Sequence, residues 1–356
     1  MKPAGAAARL GWDLTHRGPS AWALAALLSA FYVVLYFTDA LDGPARALGL
    51  DGKWTLYGLL YTIAMVGGGA HVLSKYRRDR YQVVRTLSVV LVQVVFAFAL
   101  PHLLVMARQP EFYFSYLWPL KVEYFYPSTI GAMPWPFLAW SLLGSLVLVP
   151  VLALRYGKRW YCSWVCGCGG LASTAGDPFR HLSDKSETSW RFERVAIHLS
   201  LALTVVVTAL VVVTSLWPGK SAALHHAAGE ARAAYALVVS AILSGVVGVG
   251  LYPLGGTRVW CRFFCPMAAL LGLLQKAGRF RIRVKPDMCI SCGLCSTYCE
   301  MGIDVRSYAQ QNRSFTRASC VGCGLCATVC PRGVLALEAP PRAVAAAQLV
   351  QIRVSR

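Results

Sequence analysis

Cys289-Ile-Ser-Cys292-Gly-Leu-Cys295-Ser-Thr-Tyr-Cys299 and Cys320-Val-Gly-Cys323-Gly-Leu-Cys326-Ala-Thr-Val-Cys330-Pro331 are two copies of one pattern, C-x2-C-x2-C-x3-C, set 31 residues apart. In two-cluster iron–sulfur proteins, three close cysteines wrap one face of a cube and the fourth, a helical turn later, ligates the other cube. The ligation is therefore expected to cross. Cys289, Cys292, Cys295 and Cys330 go to one [4Fe–4S] cluster, and Cys320, Cys323, Cys326 and Cys299 to the other. Gly293 and Gly324 leave room for backbone to approach the inorganic sulfides. Zinc and disulfides are the competing explanations. A zinc site takes two separated C-x2-C pairs, not two runs of four.

Working outward, the chain of 356 residues is 56% hydrophobic and only 14% charged, where soluble domains carry about 25% charged residues. That balance points to a membrane protein. The net charge of +19 comes with no nucleic-acid motif, and basic residues flanking apolar spans are explained by membrane topology. With eight of thirteen cysteines assigned to clusters, the side that carries them is expected to be reducing. Met1–Pro19 lacks the apolar core of a signal peptide, so no cleavable leader is expected.

Six runs are long enough to cross about 30 Å of hydrocarbon: Ser20–Phe37, Trp54–Leu73, Val83–Met106, Phe137–Leu154, Ala196–Leu216 and Ala233–Leu254. Pro101 and Pro150 are expected to kink their helices. Connections on one side hold 22 Lys and Arg, those on the other six. By the positive-inside rule the basic side, both termini and the cluster module are cytoplasmic, in a multi-pass protein of the bacterial inner membrane. The long opposite loop, Ala107–Pro136, is dense in aromatics, among them Phe112, Tyr113, Phe114, Tyr116, Trp118 and Tyr126. It reads either as an interfacial belt or as a docking floor for a periplasmic partner.

A second cysteine pattern is itself repeated. Arg159-Trp-Tyr-Cys162-Ser-Trp-Val-Cys166-Gly-Cys168 follows the fourth span, and Arg258-Val-Trp-Cys261-Arg-Phe-Phe-Cys265-Pro266 follows the sixth, 99 residues on. Each places two thiols one helical turn apart at the expected cytoplasmic edge. Cys162, Cys166, Cys261 and Cys265 read as ligands of a third iron–sulfur or other metal centre, as a redox dithiol, or as small core residues. Cys168 has no counterpart and stays unassigned. The loop from Gly169 to Val195, with Asp177-Pro-Phe-Arg180-His181, either covers the cluster module or is solvated. Met267–Lys276 reads as an amphipathic surface helix, and the basic run Arg279–Lys285 as a contact with anionic headgroups. His71 and His198 are open to three readings: haem ligands, the polar lining of a quinone pocket, or structural residues.

Taken together, these motifs resemble the membrane polyferredoxins typified by the NapH and NosR electron-transfer proteins of nitrate and nitrous oxide respiration. The paired C-x3-C motifs after membrane spans, then the double cluster motif, carry the resemblance over nearly the whole chain. Cys299-Glu-Met-Gly-Ile-Asp-Val305 also resembles the group, with Glu300 in place of the proline usual in soluble ferredoxins. By the family's pattern Cys162, Cys166, Cys261 and Cys265 match its two motifs. Gly167-Cys168 departs from it where Pro is common. No outer loop is long enough for the flavin domain of NosR-like proteins, so flavin is expected only through a partner.

The expected architecture is an all-α six-helix transmembrane bundle followed by a small α+β bacterial-type 2[4Fe–4S] ferredoxin domain. A cytoplasmic segment (1–19) precedes the membrane domain (20–277), then come the ferredoxin (278–338) and a tail (339–356). The expected function is a membrane electron-transfer subunit of a quinol dehydrogenase-like complex. It would link the quinone pool or cytoplasmic donors to a periplasmic flavoprotein, cytochrome or reductase in anaerobic respiration, within a hetero-oligomer and with no catalytic residue of its own. A copper reductase or assembly factor is the alternative. Only His225-His226 favours it.

Overall fold

The computed structural model describes residues 18–217 and 222–338. The N-terminal segment and the tail proposed from sequence lie largely outside these residues. Among the described residues, six helices are long and apolar enough to cross a membrane: α1 (Pro19–Phe37), α2 (Lys53–Lys75), α3 (Arg80–Met106), α4 (Trp135–Tyr156), α5 (Glu187–Leu216) and α6 (Ala222–Val247). All six overlap the expected spans.

The differences at the helix ends have local causes. α5 begins nine residues before the apolar run because Ser186 caps the Ser189 amide and Arg191 pairs with Glu187 on the exposed first turns. Its 30 residues reach about 45 Å at 1.5 Å each, more than hydrocarbon requires, so its charged start stands clear of the membrane. α6 stops at Val247, before Gly248 and Gly250, and the last turns of the expected span fold separately as Tyr252–Gly255. The prolines act as π-helical insertions rather than breaks. Gln93–Ala99 is π-helical just before Pro101, and Gly144–Leu148 just before Pro150. One extra residue per turn accommodates the proline's missing donor and its ring.

Pro266–Ala277 forms α7, buried along much of its length instead of lying on the surface: Pro266, Met267, Ala268, Ala269, Leu271, Gly272 and Gln275 all face inward. The ferredoxin follows. β1 (Arg281–Val284) and β2 (Leu335–Glu338) pair antiparallel, with Ile282 opposite Leu337 and Val284 opposite Leu335. The two cysteine runs lie between these strands. One continuous apolar core holds Val149, Ala153 and Val207 of the bundle, the four C-x3-C cysteines, and Ile282, Met301, Val321 and Leu335 of the ferredoxin. The ferredoxin is therefore packed into the helical domain.

Candidate iron–sulfur sites

Each ferredoxin run turns at a glycine in the left-handed region, Gly293 (φ 77°) or Gly324 (φ 79°), which starts a short helix. Only glycine takes that conformation without strain. The turn brings three cysteines around one hollow. The fourth cysteine of each run faces the other hollow. Cys289, Cys292, Cys295 and Cys330 line one hollow, and Cys299, Cys320, Cys323 and Cys326 line the other. The amides of Ile303 and Val334 donate to the Cys299 and Cys330 sulfurs, each at 3.4 Å. Such bonds stabilise a thiolate. Among the described residues, no group of His, Cys, Asp or Glu is gathered tightly enough for one metal ion. The hollows instead fit a multinuclear cluster that spreads its thiolates apart.

The environment of the second hollow fits an anionic occupant. Arg85, Arg180 and Arg258 are at most 1% exposed, while the buried carboxylates there are Asp177 and Glu300. Arg258 holds Glu300 at 2.9 Å, Arg180 bonds Asp177 and approaches Glu300 at 3.9 Å, and Lys75 meets Asp177 at 2.7 Å. Arg85 reaches the Cys323 carbonyl at 3.4 Å and leaves Nε and Nη2 unpartnered. Buried charges normally find a partner, and this surplus of guanidinium matches the negative charge of a thiolate-ligated iron–sulfur cluster. Burial alone would lift the Glu300 carboxyl. Arg258 and Arg180 outweigh that and hold it below the ordinary glutamate range.

The C-x3-C motifs form a third thiol site, between the other two elements of the fold. Cys162, Cys166, Cys261 and Cys265 are 4–6% exposed and pack in one cluster, with all four thiols within electrostatic reach of one another. Cys168, unassigned from sequence, puts its thiol within hydrogen-bonding reach of Cys166. Cys166 stands at the N-cap position of Gly167–Ser173, and the Cys265 sulfur accepts the Ala268 amide at 3.4 Å at the start of α7.

This third site packs beside the middle of α3, with Ser163 touching the ferredoxin at the Val321 carbonyl (2.7 Å). α3 records its position. Near its start, Gln82 and Arg85 touch Cys323 of the ferredoxin. Farther along, Ser88 meets the Trp164 carbonyl, and Gln93 donates to the Val165 carbonyl at 2.6 Å. Gln93 lies 13 residues into the 27 of α3, about 20 Å along its axis. On α2, the Tyr61 hydroxyl donates to the Gly167 carbonyl at 3.0 Å. The segment from Arg159 to Ala175 thus packs among the helices against α2 and α3. Glycines make its entry possible: a Cβ on Gly68 would lie 2.3 Å from the Ala175 nitrogen, and one on Gly170 2.7 Å from Val89.

The long loop at the far ends of the helices comes in to meet it. Tyr161, next to Cys162, donates to the Ser115 carbonyl at 2.5 Å. Leu117 fills the space over Gly144, and the Ser145 hydroxyl takes the Trp118 amide at 2.9 Å. The loop's aromatics pack on one another, with Phe112 stacked between Tyr124 (4.8 Å) and Phe137 (4.7 Å). Such irregular backbone persists at membrane depth only when buried in protein.

Sequence reasoning missed Arg85, Gln82 and Gln93, although polar residues in an apolar span were the available signal. His71 and His198 both lie on exposed helix faces.

Comparison with known domains follows the same division. The 4Fe-4S dicluster domain family matches residues 282–337. A family described as a 4Fe-4S binding domain matches twice, at 138–186 and 236–285, once over each helix and its C-x3-C turn. The chain thus carries two kinds of 4Fe-4S binding domain together with six helices apolar enough to cross a membrane. Over 197 residues it is 27% identical to YccM of Escherichia coli strain K12, a protein named for electron transport; the match covers 52% of each chain. It is 28% identical over 170 residues to the methylamine utilization ferredoxin-type protein MauN of Paracoccus denitrificans, covering 46% of this chain and 56% of MauN. The aligned part thus spans little more than half the length of these two curated relatives. No solved structure matches the chain.

Proposed function

We propose that the chain is a membrane polyferredoxin, an electron-transfer subunit that joins carriers on its two faces: quinol or a soluble donor on the ferredoxin face, and a redox partner protein on the other. The clusters would supply one-electron transfer. Two would be held by the crossed cysteines of a ferredoxin on the cytoplasmic side of the inner membrane, and a third by Cys162, Cys166, Cys261 and Cys265 in the helical domain. The relatives' names support the electron-transport role. One observation carries the reading furthest: the C-x3-C thiols are flanked from one side by the ferredoxin, through Arg258 and Glu300, and from the other by the far-face loop, through Tyr161 and Ser115. The sequence alone left a gap across the bilayer, and a centre at this position narrows it.

The protein's own groups set the conditions. The core excludes water, and Arg258 spans the C-x3-C turn and the ferredoxin. Iron and sulfide analysis with low-temperature EPR of a Cys261→Ser variant tests the third centre. The expected result is loss of one cluster's iron with the ferredoxin signals retained. Iron content and spectra identical to wild type would refute the third site.

A further inference from the structure

A hollow of about 650 Å³ lies where α5, α7 and the ferredoxin meet, lined by none of the site cysteines. Its walls carry Lys158, Arg194, Arg262, Lys276 and Arg317 against one carboxylate, Glu193. That carboxylate is engaged by Arg262 Nε at 2.7 Å. Lys158 is 1% exposed, and its ammonium reaches the Ala318 carbonyl at 3.2 Å, with no carboxylate partner among the described residues. Two more buried donors on the wall, Arg262 Nη2 and Ser319 Oγ, have no hydrogen-bond partner. Buried cations and donors left in this state are unfavourable, so the hollow is built for an anion.

The surroundings select the kind of anion. Ile197, Ala268, Ala269 and Gly272 give the hollow an apolar side. Its α5 wall lies at the start of that helix's apolar run, which continues through the exposed Leu199 and Leu203. Trp190 on the wall packs against the guanidinium groups of Arg194 (5.2 Å) and Arg317 (5.1 Å). Indole rings favour the interface between headgroups and hydrocarbon. Basic pockets between membrane helices at such an interface take anionic headgroups. A neutral quinone head would leave the cations uncompensated.

We propose that this hollow binds the phosphate headgroup of one anionic phospholipid, with its acyl chains along Ile197 and the outer face of α5. The wall residues Ala318 and Ser319 run directly into Cys320, and Gln275 of α7 donates to the Arg317 and Cys320 carbonyls at 2.9 Å each. A lipid seated here fastens the ferredoxin to the helical domain. The proposal rests on the membrane reading of the six helices and is independent of the direction or partners of electron transfer.

The test uses the full-length protein, delipidated in a neutral detergent. Native mass spectrometry and thermal unfolding are followed on adding phosphatidylglycerol, phosphatidylcholine, a ubiquinone analogue or inorganic phosphate alone. Phosphatidylglycerol is expected to bind as one retained copy and to raise the unfolding temperature. Arg194→Gln with Lys276→Gln, both exposed positions, is expected to weaken it at least tenfold. Arg283→Gln, on the ferredoxin strand and away from the hollow, should leave binding unchanged. Equal retention of phosphatidylcholine, or phosphatidylglycerol binding unaffected by the double variant, overturns the proposal. Full stabilisation by inorganic phosphate alone makes the hollow a soluble-anion site, and saturation by the quinone makes it a quinone site; either also overturns it.

Discussion

The Arg258 guanidinium places one nitrogen 2.9 Å from the Glu300 carboxylate and another 3.3 Å from the carbonyl of Cys162 and 3.8 Å from the sulfur of Cys261. One side chain thus touches both C-x3-C turns and the residue that follows Cys299 of the ferredoxin. Glu300→Ala is expected to destabilise the protein by about 3–5 kcal/mol, because it strands a buried guanidinium. Arg258→Met with Glu300→Leu, which removes both charges, is expected to recover much of that loss. Thermal unfolding of the single and double variants measures the difference. Equal losses in both would mean that the charges are not what couples these segments.

Crossed ligation has a signature in how losses combine. Cys289→Ser and Cys330→Ser act on the same hollow, so the double variant should lose no more than one cluster's iron. Cys320→Ser with Cys330→Ser acts on both hollows and should lose two. Iron determination on the purified double variants distinguishes crossed from uncrossed pairing.

Tyr161→Phe removes the bond to the Ser115 carbonyl and leaves that buried acceptor without a partner. The expected destabilisation is about 1–3 kcal/mol, concentrated in the far-face loop. Hydrogen exchange should show faster amides around 112–118 while the ferredoxin strands keep their protection. Unchanged protection in the loop would show that the contact does not hold it in place.

Acid should loosen the same interface from the other side. Burial opposes ionisation of Asp177, but Arg180 and Lys75 outweigh it and hold the carboxyl below the ordinary value of 3.8. A depressed folded pKa gives stability that is fully present above the unfolded value and is lost as pH falls through the folded one. The contribution should therefore be flat from neutral pH down to about 4 and fall off below that. Asp177→Asn should be less stable at neutral pH and lack this component. Unfolding scans of both proteins between pH 7 and pH 3 check the sign.

The amino-acid sequence by itself determined the parts. Membrane burial writes its length into each apolar run, and a cube of iron writes its size into C-x2-C-x2-C-x3-C, because both constraints act between near neighbours in the chain. The repeat of Arg, C-x3-C at 99 residues was legible for the same reason. Only the tertiary structure decided what the repeats do. Arg159 and Arg258 occupy equivalent positions, yet Arg159 stacks on Phe280 while Arg258 enters the buried ion network. The packing of the C-x3-C turns at the level of Gln93, and the inward fold of the aromatic loop onto Tyr161, were also hidden. These arrangements rest on contacts between residues tens to hundreds of positions apart. Packing and charge compensation create such contacts in three dimensions, and no local spacing records them.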